Sequence, residues 1–210
     1  MVVCVVIVIW MIREQSDSTC KGSTAASAVY KRQSLLNTSQ GVKVAANNDG
    51  EGDSKLLSQS LYNRQLYQES TFNPKAVSGA GAMGMAQIMP ANVEVLKKVY
   101  GEGFDPFNPS DAKKGQKYLM ESIAEAPWVK GTEQMKLAKT LAAYNMGRTG
   151  LVDALNKMKA DGVDIYGDVE SILPHLPSET RNYVKDILKM EGSRFNEKHF
   201  TDNLYKLDDE

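Results

Sequence analysis

The chain has 210 residues and a formal net charge of −1, a length that suits one globular domain with extensions. Hydrophobic residues make up 42% and charged residues 24%, as in folded proteins and not in disordered ones. Because there is no excess of positive charge, we expect no nucleic-acid binding. The only histidines are His175 and His199, and the only cysteines are Cys4 and Cys20. This inventory excludes a multi-histidine metal cluster and a cysteine-ligated metal in the main body. We therefore expect no metal and no cofactor.

The first 53 residues form two segments that precede the main body. Within residues 1–13, the apolar run from Val2 to Ile12 would rise about 16 Å as a helix, against roughly 30 Å of bilayer hydrocarbon. A secretory signal would begin with basic residues and end in a nearby small-residue cleavage site, and this segment fits neither. Three interpretations stay open: a weak export or anchor segment, a packed terminal segment, or a true start at Met11. Residues 14–53 are rich in Ser, Thr, Gly, Asn and Gln, which predicts a flexible linker.

Apolar residues between residues 54 and 192 recur at helical spacing, and no segment alternates as a strand does. Capping residues predict where helices begin, because a side-chain oxygen there accepts a hydrogen bond from the first turn. The predicted helices begin after Asp53 or Ser54, at Ala91, after Ser110, after Thr132, at Leu151 and after Ser178. Three predicted helix ends lie at Gly101, Gly147 and Gly192. The sequence therefore predicts an all-α domain, followed by a tail over residues 193–210.

Glu69 is the most informative carboxylate in the sequence. It follows Tyr62 by seven residues and Leu66 by three, so the three side chains share one helical face and Glu69 continues an apolar stripe. A carboxyl group carried inward there loses hydration, and its pKa should rise towards the range of a general acid. The alternative is that the helix ends here and Glu69 turns outward to solvent.

Three sequence blocks carry a family resemblance. ESTFNPKAVSGAGAMGMAQIMP spans residues 69–90, LAAYNMG spans 141–147, and LPSETRNYV spans 176–184. In this order the blocks resemble the signature of the lytic transglycosylases with a goose-lysozyme-like fold. The resemblance covers roughly residues 54–192 and implies that this part is a helical, lysozyme-like catalytic domain with a cleft.

The resemblance also implies a reaction and a substrate, the glycan strands of bacterial peptidoglycan. Protonated Glu69 would donate to the glycosidic oxygen between N-acetylmuramic acid and N-acetylglucosamine. As a carboxylate it would then take the proton of the C6 hydroxyl, which closes a 1,6-anhydro ring without consuming water. Most retaining glycosidases need two carboxyl groups about 5 Å apart, whereas this mechanism uses one and the help of the muramic N-acetyl group.

Further residues receive roles from the same resemblance. Ser78 and Gln87 would contact the N-acetyl region of the sugar, and Met89 would form an apolar wall beside it. Tyr144 would bring its hydroxyl to the catalytic carboxyl group. Three residues are expected to be structural near the site, with a cleft-facing role left open for the last: Gly84, Asn145 and Glu179.

Two other functions stay open from the sequence. A muramidase on the same fold would transfer the glycosyl group to water and would need a second carboxylate, for which Asp105 and Asp111 are candidates that no motif supports. A non-catalytic peptidoglycan-binding or virion protein would have no use for Glu69 with Gln87 and Tyr144. The expected setting is the bacterial envelope, in the periplasm or at the inner membrane, or a phage virion. Association with a membrane, virion or secretion complex would run through the N-terminal segment.

Overall fold

The computed structural model describes residues 56–207, so the segments predicted at 1–13 and 14–53 lie outside the described residues. The helices of the described part are α1 (Gln59–Ser70), α2 (Pro90–Tyr100), α3 (Pro109–Ala124), α4 (Glu133–Met146), α5 (Arg148–Ala160), α6 (Ser178–Leu188) and α7 (Glu197–Asp202). Short 3₁₀-helices lie at Val169–Ser171, Leu173–His175 and Leu204–Leu207. Between residues 56 and 207 the only β-type pairings are two isolated bridges, Val77 with Met83 and Met83 with Ile88. The predicted all-α class is confirmed.

Two helix boundaries agree with the capping signals in the sequence. The Thr132 hydroxyl accepts a hydrogen bond from the backbone N–H of Met135 and starts α4. Gly101 ends α2 with a φ of 101°, a backbone conformation that residues with a Cβ rarely adopt.

The predicted starts of α1 and α3 are wrong. Helix α1 begins later than Asp53 or Ser54 predicts, because Ser58 is its cap and accepts from Leu61 N–H. Helix α3 begins after Asn108, whose side chain accepts from the N–H of Asp111. Ser110 therefore lies inside the first turn of α3. The Pro that follows Asn108 favours a helix start at this point. Its fixed φ is already helical, and an N–H at the first position of a helix would have no partner within the helix in any case.

The predicted boundaries of α6 are also wrong at both ends. Ser178 is its first residue and not its cap. The helix ends at Leu188 and does not continue to Gly192, because Lys189 takes a left-handed conformation with a φ of 53°. The chain then folds back so that the buried Asp186 carboxylate accepts a 2.7 Å hydrogen bond from the N–H of Arg194.

Helix α4 lies at the centre of the core and packs against α3, α5 and α6, while α1 packs against α6. Close packing explains one glycine in particular. A Cβ on Gly115 of α3 would lie 2.9 Å from side-chain atoms of Ile88, Leu96 and Phe104, closer than real side chains approach. Helix α3 therefore approaches its neighbours at a distance that only glycine permits.

Residues 193–207, which follow the predicted domain boundary, contact α1. The ring of Phe200 is buried and lies 5.5 Å from the ring of Tyr67, edge to face. The Tyr67 hydroxyl also hydrogen bonds to Nδ1 of His199 at 2.7 Å. This part of the predicted tail therefore packs on the helix that carries Glu69, while the boundary at residue 192 stays a prediction. No helix between residues 56 and 207 has the length and hydropathy needed to cross a membrane.

Candidate active site

A cleft of about 300 Å³ opens beside the C-terminal end of α1. All the side chains that line it are polar: Gln68, Glu69, Gln87, Asn145, Glu179, Asn182, Tyr183 and Arg194. They come from α1, from the α1–α2 loop, from the end of α4, from α6 and from the segment after α6. Amide, hydroxyl and charged groups together supply many donors and acceptors, so the cleft suits a ligand rich in hydroxyl and amide groups.

The backbone turns sharply directly after Glu69. Thr71 and Phe72 are both left-handed, with φ values of 55° and 61°, which is uncommon for residues with a side chain and costs roughly 1–2 kcal/mol each. The Phe72 side chain is buried in the core, and its burial offsets that strain. Ser70 adds a hydrogen bond from its hydroxyl to the Met85 carbonyl at 2.9 Å. Packing and hydrogen bonding therefore hold the end of α1, and Glu69 with it, against the α1–α2 loop.

The carboxyl group of Glu69 has a strongly raised pKa. Burial raises the pKa from its ordinary value of 4.5 to about 7, because desolvation disfavours the charged form. The Tyr183 hydroxyl donates a hydrogen bond to the Glu69 carboxyl group and lowers the pKa, while the charge of Glu179 raises it. The direction of this shift is the one expected from the inward-facing stripe. A carboxyl group of this pKa is present in both protonation states near pH 7 and can serve as an acid and as a base.

Tyr183 is the hydroxyl that contacts Glu69, and the sequence analysis missed it in this role. It is buried, and burial together with the charge of Glu69 raises its pKa well above the ordinary value, so it stays a protonated donor. The hydroxyl of Tyr144, which the resemblance assigned to this contact, donates to the Ala86 carbonyl at 2.8 Å. The role predicted for Tyr144 at the carboxyl group stays a prediction.

Gln87 reaches the cleft through an unusual backbone conformation. Its φ is 49°, and its side-chain amide donates to the carbonyl of Gly84 at 2.9 Å. Gly84 is itself left-handed, with a φ of 70°, and a Cβ there would lie 1.8 Å from the Pro106 carbonyl oxygen. Only glycine fits at this position. The geometry therefore supports the structural role expected of Gly84.

Ser78 and Met89 are not among the residues that line the cleft. The Ser78 hydroxyl accepts a 2.9 Å hydrogen bond from the N–H of Ala82 and so closes a turn within the loop. Met89 is the residue that precedes the first turn of α2. The sugar contacts expected of these two residues stay predictions.

Asn145 and Glu179, expected to be structural, both line the cleft. The Asn145 side-chain oxygen accepts from the Thr180 hydroxyl at 2.7 Å, which joins the end of α4 to the first turn of α6. Glu179 is exposed on that same turn. The cleft-facing orientation left open for Glu179 is the one that the structure shows.

Arg194 is a cleft residue that no sequence block contained. Its backbone is tied to Asp186, and its guanidinium lies 3.6 Å from the same carboxylate. Asp105 and Asp111 are the carboxylates considered for a muramidase. The Asp111 carboxylate, in the first turn of α3, accepts a hydrogen bond from the backbone N–H of Asp105 in the α2–α3 loop. Neither lines the cleft. Within residues 56–207 no three His, Cys, Asp or Glu side chains converge to hold a metal ion.

The fold is similar to that of a soluble lytic transglycosylase. The 70 kDa soluble lytic transglycosylase of Escherichia coli superposes with a TM-score of 0.51 and 25% identity, over 63% of this chain and 21% of that one. A complex of the 70 kDa soluble lytic transglycosylase with bulgecin A gives a TM-score of 0.53 at 23% identity, over 78% of this chain and 23% of that one. The helical, lysozyme-like class expected from the sequence is confirmed.

Sequence comparison identifies the family. The model of the transglycosylase SLT domain matches residues 47–165, and the chain belongs to this family. Membrane-bound lytic murein transglycosylase F of Pasteurella multocida is 35% identical over 142 residues, which are 66% of this chain and 27% of that protein. Membrane-bound lytic murein transglycosylase C of Actinobacillus pleuropneumoniae is 31% identical over 140 residues, 58% of this chain and 37% of that protein. The chain therefore spans only about a quarter to a third of the length of these relatives.

Proposed function

We propose that this domain is a peptidoglycan lytic transglycosylase. It cleaves the β-1,4 bond between N-acetylmuramic acid and N-acetylglucosamine and leaves 1,6-anhydro-N-acetylmuramic acid ends. Membership of the transglycosylase SLT family and the names of the relatives support the reaction type. The observation that carries the proposal is Glu69, whose carboxyl group faces a polar cleft with a pKa of about 7.

The proposed reaction uses Glu69 twice. Its proton passes to the glycosidic oxygen as the bond from that oxygen to the anomeric carbon breaks. Negative charge then develops on the Glu69 carboxylate, and the Tyr183 O–H stabilises it, because a hydrogen bond to an ionised acceptor is stronger than one to a neutral group. The carboxylate next takes the proton of the C6 hydroxyl, whose oxygen bonds to the anomeric carbon. Glu69 ends protonated, and no water is consumed.

The other cleft residues suit the substrate by their chemistry. Gln87, Asn145 and Asn182 offer amide groups to the hydroxyl and N-acetyl groups of the sugars. Arg194 is the cation among the lining residues, and it suits the carboxylates of the peptide stem. These contacts are part of the proposal.

The single-acid role of Glu69 is tested by Glu69→Gln, which keeps the shape of the side chain and removes the titratable proton. We expect the variant to fold and bind purified cell walls but to lose lysis by at least about a hundredfold. The exposed Glu94→Gln, on the surface of α2, is the matched control and should lyse at the wild-type rate. Unchanged lysis by Glu69→Gln would show that Glu69 is not the catalytic acid, and absence of lysis by the wild type would indicate a protein that binds glycan without cleaving it.

One observation favours a second candidate, a hydrolytic muramidase. Glu179 is a second carboxylate in the cleft, and a hydrolase needs such a group to position water. The two functions differ in their response to Glu179→Gln. A muramidase would lose the release of reducing ends, whereas the transglycosylase would keep forming anhydro ends. In the Glu179→Gln variant the Glu69 pKa would be lower than in the wild type, because the charge of Glu179 raises it.

We propose the bacterial cell envelope as the site of action, since the relatives from P. multocida and A. pleuropneumoniae are named membrane-bound. Attachment to a membrane, a virion or a secretion complex would involve residues 1–13. Fractionation of cells that express the full chain tests this, with a variant lacking residues 1–13 as the control. Equal distribution of the two proteins between membrane and soluble fractions would exclude attachment through this segment.

A further inference from the structure

Two buried glutamine side chains are linked by hydrogen bonds, through a tyrosine hydroxyl, to the carboxyl group of Glu69. Gln116 of α3 donates through Nε2 to the Gln65 side-chain oxygen at 2.8 Å and to the Tyr62 carbonyl at 3.0 Å. Gln65 of α1 donates through Nε2 to the Tyr183 hydroxyl oxygen at 3.1 Å. Tyr183 of α6 donates to Glu69. Three helices therefore contribute one continuous set of hydrogen bonds, which we call the amide relay (Gln116, Gln65 and Tyr183).

Each hydrogen bond of the amide relay has a defined direction. The Tyr62 carbonyl can only accept, so the Gln116 group that faces it must be the NH₂. That NH₂ also faces Gln65, which therefore presents its oxygen to Gln116 and its own NH₂ to Tyr183. The Tyr183 oxygen accepts from Gln65, and its proton is left to point at Glu69.

We propose that Gln65 and Gln116 are positioning residues that hold the Tyr183 hydroxyl as a donor to Glu69. Neither lines the cleft, and their side chains are almost completely buried, with 0% and 2% exposed, so they act through Tyr183. An accepted hydrogen bond also polarises a hydroxyl and makes it a stronger donor. The effect on catalysis rests on the proposed function, whereas the effect on the titration of Glu69 does not.

The competing explanation is that the two glutamines only stabilise the fold. Buried amides must be hydrogen-bonded, and a satisfied pair stabilises a core without any effect on chemistry. The two explanations differ in what they predict for Glu69. A stabilising pair leaves the titration of Glu69 unchanged as long as the protein stays folded. The amide relay predicts that its loss frees the Tyr183 hydroxyl, weakens its bond to the carboxylate and raises the Glu69 pKa.

Replacing the two glutamines does not alter the other titratable and charged groups near Glu69. Glu179, whose charge raises the Glu69 pKa, and Arg194 both line the cleft, and Tyr144 lies close enough to influence the titration of Tyr183. The Asp186 carboxylate is held by the N–H of Arg194. Glutamine and methionine are both uncharged, so substitution of the glutamines leaves the charges around Glu69 unchanged.

The experiment replaces both glutamines together, as Gln65→Met with Gln116→Met, in the full chain. Methionine has nearly the shape of glutamine, and removing both partners of a buried pair costs far less than removing one. Carbon-13 NMR of the glutamate carboxyl groups then follows Glu69, identified by its absence in Glu69→Gln. We expect the Glu69 midpoint to rise by about half a pH unit to one unit. The matched control is Thr140→Val, which removes a buried hydroxyl bonded within α4 and should leave the midpoint unchanged.

The second measurement is the rate of muropeptide release. Tyr183→Phe is introduced both into the wild type and into the double methionine variant. We expect the double methionine variant to release muropeptides several-fold more slowly than the wild type, with the alkaline limb of its rate profile at higher pH. In the Tyr183→Phe background the methionines should have no further effect, because there is no hydroxyl left to hold. Equal slowing in both backgrounds, or an unchanged Glu69 midpoint in a folded double variant, would overturn the proposal. If the wild type released no muropeptides, the proposed function would fail, while the midpoint would still decide the role of the amide relay.

Discussion

Replacing Glu69 with Gln should make the protein more stable at alkaline pH. Folding raises the Glu69 pKa from 4.5 to about 7, so the folded state binds this proton more tightly than the unfolded chain does. The resulting stabilisation is fully present below about pH 4.5 and is lost as the pH rises to about 7. The difference between the two pKa values corresponds to about 3 kcal/mol, at about 1.4 kcal/mol per pH unit. Gln keeps the shape of the side chain, and its oxygen can still accept from Tyr183.

The assay is urea unfolding of the wild type and Glu69→Gln at several pH values between 4 and 9. The two proteins should have similar free energies of unfolding near pH 4, and the variant should gain up to about 3 kcal/mol by pH 8. Glu94→Gln, which removes an exposed carboxylate, should follow the wild-type curve within about 0.5 kcal/mol. If the Glu69→Gln and wild-type curves stay parallel across this pH range, the carboxyl group titrates at its ordinary pKa and the reasoning is refuted.

Three further substitutions test other parts of the structure. Gly84→Ala should destabilise the protein by more than Gly81→Ala does in urea unfolding, because both glycines are left-handed but only Gly84 would bring its Cβ to 1.8 Å from a carbonyl oxygen; equal losses would contradict the close approach. Phe200→Ala should cost about 3 kcal/mol and lower the Tm, and a loss below about 1 kcal/mol would show that α7 contributes little to the core. Arg194→Ala should raise KM several-fold for peptide-bearing walls but not for glycan stripped of peptides, whereas the exposed Lys198→Ala should change neither value.

The helices were predictable because their signals are local. Apolar residues at helical spacing share a face whatever the rest of the chain does, and the same logic placed Glu69 on the inward side of α1. The starts of α1 and α3 were not predictable, because each segment offers more than one residue able to cap a helix. Ser58 and Asn108 are the caps, where Ser54 and Ser110 were predicted alternatives.

The contacts of Glu69 depend on residues distant in sequence. Tyr183 lies 114 positions after Glu69, and in the sequence it belongs to the apolar stripe of its own helix, which indicates a core residue. It is a core residue, and it also carries the hydroxyl that reaches the carboxyl group. Gln65 and Gln116 show no periodic signal, since a buried glutamine is identified by its partners, 118 and 51 positions from Gln65. Arg194 reaches the cleft only because α6 ends early.

The source of the oxygen atom that bonds to the anomeric carbon, either the C6 hydroxyl or water, tests the central claim most directly. Purified peptidoglycan is digested by the full chain in water enriched in oxygen-18, and the released muropeptides are analysed by mass spectrometry. Intramolecular transfer by Glu69 predicts anhydro products that contain no oxygen-18, and Glu69→Gln should release none of them. Reducing-end products that carry one oxygen-18 each would show that water attacks the anomeric carbon, and the chain would then be a hydrolase.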